Sequence, residues 1–513
     1  MPVKTLIKPS EYHDSVSLML VARELARLPG VADAAVVMAT EANKGILRDA
    51  GLLTPEADAA SPNDLVIAVS GDDETLLLAI AEANKLLQKK AVEAESAEFR
   101  PRTLRSAVKA NPSANVAVIS VAGRYAADEA WQALHKGLHV LLFSDNVSLA
   151  DEIALKRYAS QNGLLLMGPG AGTAILNGVA LGFANVLPLG PVGIVSAAGT
   201  GLQEVSTLLA KQGVGITQGI GTGGRDLHEE VGGMMMLAGL KALQEDPATG
   251  VIVLISKPPA AGIAKKVLKQ VALSKKPSVV CFLGAKSSPA AGLAAHTLEE
   301  AANLAVDLVN TGRPSRPAAA LQPEHRAEEL SKSLPPGQRY LRGLFSGGTL
   351  CYEAQVIWGD ILPEPVLSNA PLDQAKRLPD SNHSQGHSAV DLGEEEFTVG
   401  RLHPMIDNDL RIRRLLQEAR DPQVGLILLD VVIGYGAHPD PASELAAAVR
   451  KGRAVAAGAG RELIFVASVT GTEADPQGLT RQMQVLEKAG VILCESNAAA
   501  ARLCARIVAG TLR

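Results

Sequence analysis

Residues 191–213, PVGIVSAAGTGLQEVSTLLAKQG, decide the fold of this chain. They form a short aliphatic stretch, a turn of small residues and an amphipathic stretch, the pattern of one strand–turn–helix unit. The aliphatic stretch is apolar on both faces, which is typical of a parallel sheet covered by helices on each side. Comparable strands and helices alternate over most of the chain, so the sequence predicts a multi-domain α/β fold with doubly wound parallel sheets.

The same strand and turn occur a second time, in YLRGLFSGGTLCYEAQVIWGD. GIVS at 193–196 corresponds to GLFS at 343–346, and a Gly-Thr pair follows in both turns. Each threonine is followed four positions later by a glutamate, Glu204 in the first copy and Glu353 in the second. Later strands correspond as well, GVIVLIS with GLILLDVVIG and SVVCFLG with LIFVASVTG. This repetition indicates a duplicated domain of flavodoxin-like type.

The spacing of strands and helices divides the chain into four folded units and a linker. The predicted boundaries are 1–100 for a small α+β unit, 101–188 for a Rossmann-like unit, 189–310 and 339–513 for the duplicated unit, and 311–338 for a Pro-rich linker. A ferredoxin-like arrangement is one option for the first unit. Residues 362–396 read as a polar insertion in the last unit.

Composition excludes several classes of function. Only 3% of the 513 residues are aromatic, too few for a carbohydrate-binding β-sandwich or a single-strand nucleic-acid binder. The net charge of −5 gives no support to a polyanion partner. The sequence shows no signal-peptide core and no apolar run of about 18 residues, and its four cysteines form no C-x-x-C pair. We therefore expect a cytoplasmic protein that binds neither membrane nor nucleic acid and holds no structural metal.

The duplicated turn is the strongest candidate for ligand binding. It joins a strand to a helix, so its backbone N–H groups lie at a helix N-terminus, where the macrodipole favours an anion. The candidate phosphate-binding residues are Ser196, Gly199, Thr200 and Gly201 in the first copy and Ser346, Gly347, Gly348 and Thr349 in the second. The alternative is that the hydroxyls cap their helices and the glycines serve only the turn.

Two further glycine-rich loops lie at predicted strand ends, where ligands bind in doubly wound sheets. The loop GIGTGGRD includes an arginine whose planar guanidinium suits a carboxylate or phosphate. The other loop follows the strand LLLMGP and is expected near Ser144-Asp145-Asn146 at the end of the neighbouring strand. The candidate residues are Gly221, Gly223, Gly224 and Arg225 in the first loop and Gly170 and Gly172 in the second. The alternative for the first loop is a flexible connector with a surface arginine.

Two loops of the last unit gather acid–base side chains. GRLHPMID contains His403 and Asp407, and GYGAHPDP contains His438 and Asp440. A histidine beside a carboxylate suits general acid–base catalysis, with the carboxylate orienting the imidazole. Together with Arg225, these four residues form the candidate catalytic set. No H-x-x-H spacing supports a metal site, and the alternative is that Asp and Pro form turns that expose the histidines.

At these loops the sequence resembles known enzymes. VGIVSAAGTGLQEV resembles the ligase-domain turn of the succinyl-CoA synthetase α-subunit, and HVLLFSD with LLLMGP resembles the end of that subunit's CoA-binding domain. The whole chain is similar to the FdrA protein family through DSVSLM, LLFSDNVSLADEIALK, GTGGRDL, LISKPPA, RGLFSGGTL, HPMID and GYGAHPDP. The resemblance implies a partial CoA-binding-type domain at 101–188, followed by succinyl-CoA synthetase-type ligase domains at 189–310 and 339–513.

The chain departs from these families at three places. Succinyl-CoA synthetases carry a phosphohistidine in a Gly-His loop, whereas the corresponding GAKSSPAAGLAAH contains only His296, outside such a context. The unit at residues 3–87 replaces the half of the CoA-binding domain that supplies the CoA phosphate loop. Gly170-Ala171-Gly172 stands where FdrA members have Asp-Cys-Gly. Phosphohistidine chemistry and CoA binding therefore have no support in the sequence.

The resemblance implies two enzymatic functions. FdrA-type proteins are associated with the oxamate carbamoyltransferase of allantoin breakdown, in which oxalurate and phosphate give oxamate and carbamoyl phosphate, and the missing phosphohistidine loop favours this function. The alternatives are an ADP-forming acyl-CoA synthetase, with CoA and ATP or ADP, and a non-catalytic assembly subunit. We expect no certain cofactor, phosphate or carbamoyl phosphate as ligand, a small anionic substrate, and companion subunits of the same operon or a homo-oligomer.

Overall fold

The computed structural model describes residues 2–11, 13, 15–95, 101–285, 291–314, 322–335, 337–398 and 401–511. It divides into two compact units, one of residues 1–112 with 395–402 and one of residues 113–394 with 403–513. Part of the GAKSSPAAGLAAH loop, part of the predicted linker and Gly400 of GRLHPMID lie outside the described residues. Across those that are described, no helix is long and apolar enough to cross a membrane.

The first unit is a three-stranded antiparallel sheet with helices on both faces. Its elements are β1 (Val3–Lys8), α1 (Ser15–Ala26), β2 (Val31–Met38), α2 (Glu41–Asp49), α3 (Pro55–Ala59), β3 (Leu65–Gly71), α4 (Asp73–Glu95) and α5 (Leu104–Ala110). The central strand is β3, in the order β1-β3-β2. Its residues Leu65, Ile67 and Val69 pack with α1 and α4, while Val66 and Ala68 pack with α2 and α3. The period of two along β3 thus supplies one apolar face to each helix layer.

The second unit begins with a three-stranded parallel sheet. Its elements are β4 (Val116–Ile119), α6 (Gly123–Leu134), β5 (His139–Leu142), α7 (Leu149–Gln161) and β6 (Leu166–Met167), with the strands in the order β4-β5-β6. A hairpin of β7 (Thr173–Leu176) and β8 (Val179–Gly182) follows. This hairpin lies within the range predicted for the Rossmann-like unit, but it hydrogen-bonds to the sheet of the next repeat.

The first repeat forms a seven-stranded sheet. Its elements are β9 (Leu189–Ser196), α8 (Gly199–Lys211), β10 (Ile216–Gly221), α9 (Met234–Glu245), β11 (Val251–Ser256), α10 (Ala261–Ala272), β12 (Ser278–Phe282), β13 (Leu293–Ala294) and α11 (Leu298–Thr311). The strand order is β13-β12-β11-β9-β10-β7-β8. Strands β9 to β13 pair in parallel, and only the hairpin at one edge pairs in the antiparallel sense.

The second repeat forms a six-stranded parallel sheet in the region that follows the predicted linker. Its elements are α12 (Gln322–Ser333), β14 (Tyr340–Phe345), α13 (Gly348–Ile361), β15 (Val366–Ser368), β16 (His387–Asp391), α15 (Asp409–Glu418), β17 (Val424–Val432), α16 (Pro441–Gly458), β18 (Ile464–Thr470), α17 (Leu479–Lys488), β19 (Ile492–Cys494) and α18 (Asn497–Thr511); α14 (Glu395–Thr398) comes between β16 and α15 along the chain but belongs to the first unit. The strand order is β15-β16-β14-β17-β18-β19. Helix α12 lies within the range predicted as linker.

The two sheets confirm the duplication of a flavodoxin-like domain. The strand before the glycine turn is central in both, and the order β12-β11-β9-β10 corresponds to β18-β17-β14-β16. The polar insertion predicted at residues 362–396 is wrong in one respect, because this segment supplies β15 and β16 to the sheet. Both strands are short, and β16 reads HSAVD although all of its residues are buried. Because of its polar residues, the sequence pattern did not predict this strand, which lies within the sheet.

The two repeats share one apolar core and cap one another's helices. Glu204 of the first repeat accepts the backbone N–H of Asn497, at 2.9 Å, where α18 of the second repeat begins. Glu353 of the second repeat accepts the N–H of Leu298, at 2.6 Å, where α11 of the first repeat begins. A carboxylate at a helix N-terminus satisfies free N–H groups and interacts favourably with the macrodipole. The duplicated glutamate therefore stabilises the interface between the repeats.

We expect the ionisation of Glu353 to weaken the fold as the pH rises. Burial raises the pKa of Glu353 to about 7 from 4.5, although hydrogen bonds from Asn497 and Leu298 oppose this shift. Between these two values the folded chain binds more protons than the unfolded chain, so its stability falls with rising pH. Relative to the variant Glu353→Gln, the wild type should lose on the order of 3 kcal/mol of unfolding free energy between pH 4.5 and 7.

Urea unfolding of both proteins across this pH range measures the difference. Glu245→Gln, which makes the same change at an exposed position, is the matched control and should parallel the wild type at every pH. A difference between the wild type and E353Q that stays constant with pH would contradict the prediction.

Candidate functional site

The two duplicated turns lie against each other, at the start of α8 and of α13. A Cβ built on Gly347 would lie 2.8 Å from Thr200 Cγ2, and a Cβ on Gly201 would lie 3.0 Å from Thr349 Cγ2. Glycine at these two positions permits the close approach of the helix ends. The structure therefore brings the two sets of predicted phosphate-binding residues together.

At the first turn the helix N-terminus is open. Ser196 Oγ accepts the N–H of Ala198 at 3.1 Å and donates to the carbonyl of Ala198 at 2.7 Å, so this hydroxyl closes the turn. No side chain in the described part of the chain caps α8. The N–H groups of Gly199, Thr200 and Gly201 begin the helix, where no carbonyl of the helix itself can accept them. They are therefore available to an anion.

At the second turn the two backbone N–H groups that precede α13 bind a carboxylate of the chain itself. Asp430 of β17 accepts the N–H of Ser346 at 2.8 Å, the hydroxyl of Ser346 at 3.1 Å and the N–H of Gly347 at 2.8 Å. Asp430 is fully buried and forms an ion pair with Arg411, Nη2 to Oδ1, at 2.6 Å. Two residues predicted to bind phosphate, Ser346 and Gly347, thus hold an internal anion instead.

The first repeat has no equivalent of this carboxylate. Strand pairing places Ile252 opposite Gly193 in the first repeat and Leu428 opposite Gly343 in the second. Two residues further along each strand, leucine at position 254 corresponds to Asp430. The two turns therefore differ in that a buried carboxylate binds the second and a leucine takes its position beside the first.

A second buried carboxylate, that of Asp391, faces the N-terminus of α13. Its Oδ2 would lie 2.5 Å from a Cβ built on Gly348, so a larger residue at this position would collide with it. Burial, together with the charges of Glu394 and Asp430 and against that of Lys257, raises the pKa of Asp391 to about 7. Near neutral pH this carboxyl can therefore give or take a proton.

His403 lies beside Asp391 and not beside Asp407, its predicted partner. A Cβ built on Gly393 would lie 2.8 Å from His403 Nε2 and 3.2 Å from Asp391 Oδ1, so both side chains pack over this glycine. Burial lowers the pKa of His403 to about 4, and Nδ1 accepts the N–H of Met405 at 3.2 Å. The ring is therefore neutral at pH 7 with its proton on Nε2. The Asp407 carboxylate accepts the first N–H of α15 at 2.9 Å.

His438 is paired with Glu444 and not with the carboxylate of Asp440. Its Nδ1 accepts the backbone N–H of Asp440 at 3.0 Å, and its Nε2 lies 3.4 Å from Glu444 Oε2. The Asp440 carboxylate accepts hydrogen bonds from Arg481 at 2.9 Å and Gln482 at 3.0 Å. Asp440 therefore connects α16 to α17, and the predicted orienting contact with His438 does not form.

The loops that carry the two histidines meet each other and Phe183. The N–H of His438 donates to the carbonyl of Met405 at 2.7 Å. Phe183, after β8, lies with its ring centroid 5.9 Å from that of His403 and 5.4 Å from that of Phe143, which follows β5. Strand-end segments of all three sheets of the second unit thus converge at Phe183.

The two predicted strand-end loops of the Rossmann-like sheet also meet. The N–H of Gly170 donates to the carbonyl of Ser144 at 3.0 Å, and Gly170 has a left-handed φ of 66°. A Cβ at this position would lie 2.3 Å from Asp145 Oδ1. The carbonyl of Gly172 accepts the N–H of Phe183 at 2.7 Å. Both glycines therefore serve close packing, and the left-handed conformation of Gly170 disfavours a side chain at that position.

Arg225, with a side chain that is 40% exposed, lies at the edge of a buried network of ion pairs. Its Nε lies 2.7 Å from Glu152 Oε2, and its Nη2 donates to the carbonyl of Val147 at 2.8 Å. Glu152 also pairs with Lys156 at 2.8 Å, and Lys156 pairs with Asp226 at 2.9 Å. The guanidinium predicted to hold a substrate carboxylate thus binds a carboxylate of the chain.

The glycines next to Arg225 differ in their surroundings. A Cβ on Gly221 would lie 2.3 Å from the carbonyl oxygen of Thr173, and a Cβ on Gly223 would lie 2.7 Å from that of Pro169. A Cβ on Gly224 would have no atom within 4 Å. Gly221 and Gly223 are therefore required by backbone packing, and Gly224 alone of the three faces open space.

Sequence reasoning missed three residues of this site. Asp391 lies in the segment read as an insertion, and Asp430 is a lone charge in the otherwise apolar strand VGLILLDVV. A lone buried charge requires a partner, and this was the signal available for Asp430. Lys257 follows β11 of the first repeat, yet its Nζ lies 5.4 Å from the ring centroid of Tyr352 in the second. Only the contact between the repeats reveals its position.

Two family models match the chain. The CoA-ligase model matches residues 344–507, which run from β14 into α18, and the model of the AllF heavy metal-associated domain matches residues 1–102. Residues 1–102 contain no cysteine and a single histidine, His13, so they lack the soft thiolate ligands that a heavy metal prefers. Among the described residues, no group of three or more His, Cys, Asp or Glu could hold a metal ion.

Relatives match over very different lengths. The uncharacterized protein YahF of Escherichia coli (strain K12) is 47% identical over 508 residues, 97% of each chain. The alpha subunit of succinate–CoA ligase [ADP-forming] from Staphylococcus epidermidis is 29% identical over 188 residues, 35% of this chain and 60% of the relative. The solved acetyl-coenzyme A synthetase 1, dinucleotide forming, of Ca. Korarchaeum cryptofilum is 16% identical, with 78% and 83% of the chains aligned, and its TM-score of 0.29 is too low for any argument.

The lengths of these matches decide what each one establishes. The CoA-ligase model matches the second repeat, and the succinate–CoA ligase alpha subunit is similar to about a third of the chain. The match to YahF extends over nearly the whole chain, including the first unit. The chain therefore belongs to the family of Escherichia coli YahF.

Proposed function

We propose that this chain binds phosphate or an acyl phosphate at the N-terminus of α8 and takes part in the transfer of an acyl or carbamoyl group. The contrast between the two turns carries this proposal. The first three N–H groups of α8 have no acceptor in their helix and no side-chain cap, whereas at the second turn Asp430 binds Ser346 and Gly347 and the carboxyl of Asp391 faces the first residue of α13. An uncapped helix N-terminus among small residues is a favourable site for a phosphate group.

We infer further that the chain is an FdrA-like subunit of an oxamate carbamoyltransferase-type enzyme, which converts oxalurate and phosphate into oxamate and carbamoyl phosphate. The motifs shared with the FdrA family and the match of residues 1–102 to the AllF domain support this. The loop GAKSSPAAGLAAH gives it further support, because its one histidine, His296, lies outside the Gly-His context of a phosphohistidine. His296 is exposed, and its backbone N–H binds Glu300 Oε2 at 2.7 Å beside the start of α11.

ADP-forming acyl-CoA synthesis is the second candidate function, with CoA and ATP or ADP as ligands. The match of residues 344–507 to the CoA-ligase model favours it. In either function we expect a small anionic substrate, and companion subunits or a second copy of the chain.

Product assays separate the candidates. The full-length chain, alone and with the proteins encoded beside it, is incubated with oxalurate and phosphate, and separately with ATP, CoA and short carboxylates. Carbamoyl phosphate formation supports the transferase, and CoA-dependent ADP release supports the synthetase. If the neighbouring proteins show the same activity without this chain, both enzymatic functions are excluded and an assembly role is left.

A carboxylate on the first residue of α8 should abolish phosphate binding without loss of stability. A Cβ on Gly199 would make only an ordinary contact, 3.5 Å to Thr173 Oγ1. An aspartate there interacts favourably with the helix dipole, by about 0.3–1 kcal/mol, and competes with phosphate for the same N–H groups. We expect phosphate to raise the melting temperature of the wild type but not that of Gly199→Asp.

Gly199→Ala is the matched control, since it adds the same Cβ without a charge. This variant should keep the stabilisation by phosphate. Full stabilisation of G199D by phosphate would place the anion elsewhere, and loss of the effect in both variants would show that the added atom, not the charge, is responsible.

A further inference from the structure

Hydrogen bonds hold both the backbone and one carboxyl oxygen of Asp391 in place. The side chain of Asn369 binds its backbone on both sides, donating to the carbonyl of Asp391 and accepting its N–H, each at 2.9 Å. The N–H of Gly393 binds Oδ1 at 2.9 Å. Oδ2 is turned toward Gly348, at the first residue of α13. One carboxyl oxygen is thus fixed by the chain and the other faces the convergence of the two helix N-termini.

Charged and titratable groups face this carboxyl from every element around it. Lys257 after β11 favours its ionised form, and Glu394 after β16 and Asp430 of β17 favour its neutral form. The other groups are Arg411, His403 and Cys351, of which Arg411 is paired with Asp430, His403 packs over Gly393, and Cys351 is buried on α13.

The position of α13 links Asp391 to the phosphate turn. Gly347 lies against Thr200 of the open turn, and the next residue, Gly348, lies against the Asp391 carboxyl. Two adjacent glycines thus connect the open turn to Asp391, and this carboxyl is the candidate proton donor for a substrate bound at the N–H groups of α8. Carbamoyl transfer needs such a group, because its leaving nitrogen must be protonated.

Building on the proposed carbamoyl transfer, we propose that Asp391 is the general acid that gives its proton to the nitrogen leaving the carbamoyl carbon. A phosphate oxygen attacks the carbamoyl carbon of oxalurate and a C–O bond forms. The C–N bond breaks, its electron pair goes to the nitrogen of the departing oxamate, and the proton of Asp391 joins that nitrogen. The proton carried by hydrogen phosphate then restores Asp391. Atoms and charge balance without a further reactant.

The pH dependence of the rate follows from this role. Burial raises the pKa of Asp391 to about 7, so the acid form is present at neutral pH and is lost above it. The rate of carbamoyl phosphate formation in the wild type should therefore fall as the pH rises from 7 to 9. If Asp391 only stabilised the fold, its ionisation would not produce this fall in rate between pH 7 and 9.

The variant Asp391→Asn tests the proposal, because the amide keeps an acceptor for the N–H of Gly393 but has no acidic proton. We expect kcat for carbamoyl phosphate formation from oxalurate and phosphate to fall by roughly 10²–10⁴-fold, while phosphate still raises the melting temperature. Asp409→Asn, at an exposed carboxylate paired with Arg413, is the matched control and should keep full activity.

The outcomes separate this proposal from the proposed function. A wild type that forms no carbamoyl phosphate, alone or with its companion proteins, overturns the proposed function and this role with it. A wild type that is active, with D391N equally active, overturns the role of Asp391 alone. The wild-type pH profile does not depend on how the variant folds. A wild-type rate that stays constant from pH 6 to 9 would also overturn the role of Asp391 as general acid.

Discussion

Replacement of Arg411 by methionine is expected to lower the free energy of unfolding by about 3–5 kcal/mol. Arg411 is 2% exposed, and its guanidinium pairs with the fully buried carboxylate of Asp430 while Nε donates to the carbonyl of Leu344 at 3.2 Å. Methionine retains the apolar stem but leaves Asp430 buried without a counter-charge. The remaining hydrogen bonds from Ser346 and Gly347 only partly compensate a desolvated carboxylate.

Arg413, two positions along the same helix, provides the control. Its side chain is 66% exposed and pairs with Asp409 at 2.9 Å, so Arg413→Met should cost less than about 1 kcal/mol. Urea unfolding followed by fluorescence measures both variants, since Trp358 is fully buried in the second repeat and reports its unfolding. Equal losses in R411M and R413M would mean that the Arg411–Asp430 pair is not desolvated as the structure shows it.

The backbone features of the fold were predictable from sequence because they follow from local patterns. Apolar strands, a turn of small residues and an amphipathic helix recur with the same spacing, and the two sheets show the same strand order. The sequence did not predict that the two turns lie against each other. Their contact depends on the packing of α8 on α13, which involves side chains such as Thr200 and Thr349 that have no separate signal in the sequence.

Side-chain pairing was the weakest part of the sequence prediction, and the reason is physical. His403 and Asp407 are close in sequence, but the sheet brings β16 nearer, so that Asp391 lies beside the imidazole. Arg225 was expected to be free for a ligand, but Glu152 on α7 binds it at 2.7 Å. In both cases the tertiary structure supplies a neighbour that lies far away along the chain, which local sequence patterns do not reveal.

The two repeats differ at the glycine turn that precedes α8 in the first repeat and α13 in the second. The helix after the turn has no side-chain cap in either repeat, but in the second repeat Asp430 binds the turn itself and Asp391 faces the first residue of the helix. The buried carboxyl groups of Asp430 and Asp391 disfavour a further anion at the second turn, because like charges repel. One exchangeable anion between the two repeats is therefore the simplest consequence of the structure.

Replacement of Lys156 by methionine should also lower the free energy of unfolding by about 3–5 kcal/mol. Its side chain is fully buried, and Nζ contacts Glu152 at 2.8 Å, Asp226 at 2.9 Å and the carbonyl of Thr222 at 2.9 Å. Removing this ammonium leaves two buried carboxylates that repel each other, with Arg225 as the remaining cation of the network. The glycine-rich loop that Lys156 anchors should loosen at the same time.

The neighbouring residue offers the control, because Arg157→Met makes a similar change at an exposed position of α7 and should leave the stability within about 0.5 kcal/mol. The fluorescence of Trp131 on α6 reports on this region, since its ring lies 5.4 Å from that of Tyr158 on α7. Hydrogen exchange at residues 219–226 should increase in K156M and not in R157M. If K156M loses less than 1 kcal/mol and its loop stays protected, the Lys156 network does not hold the loop, and the rigidity of Gly221 and Gly223 must come from their backbone packing alone.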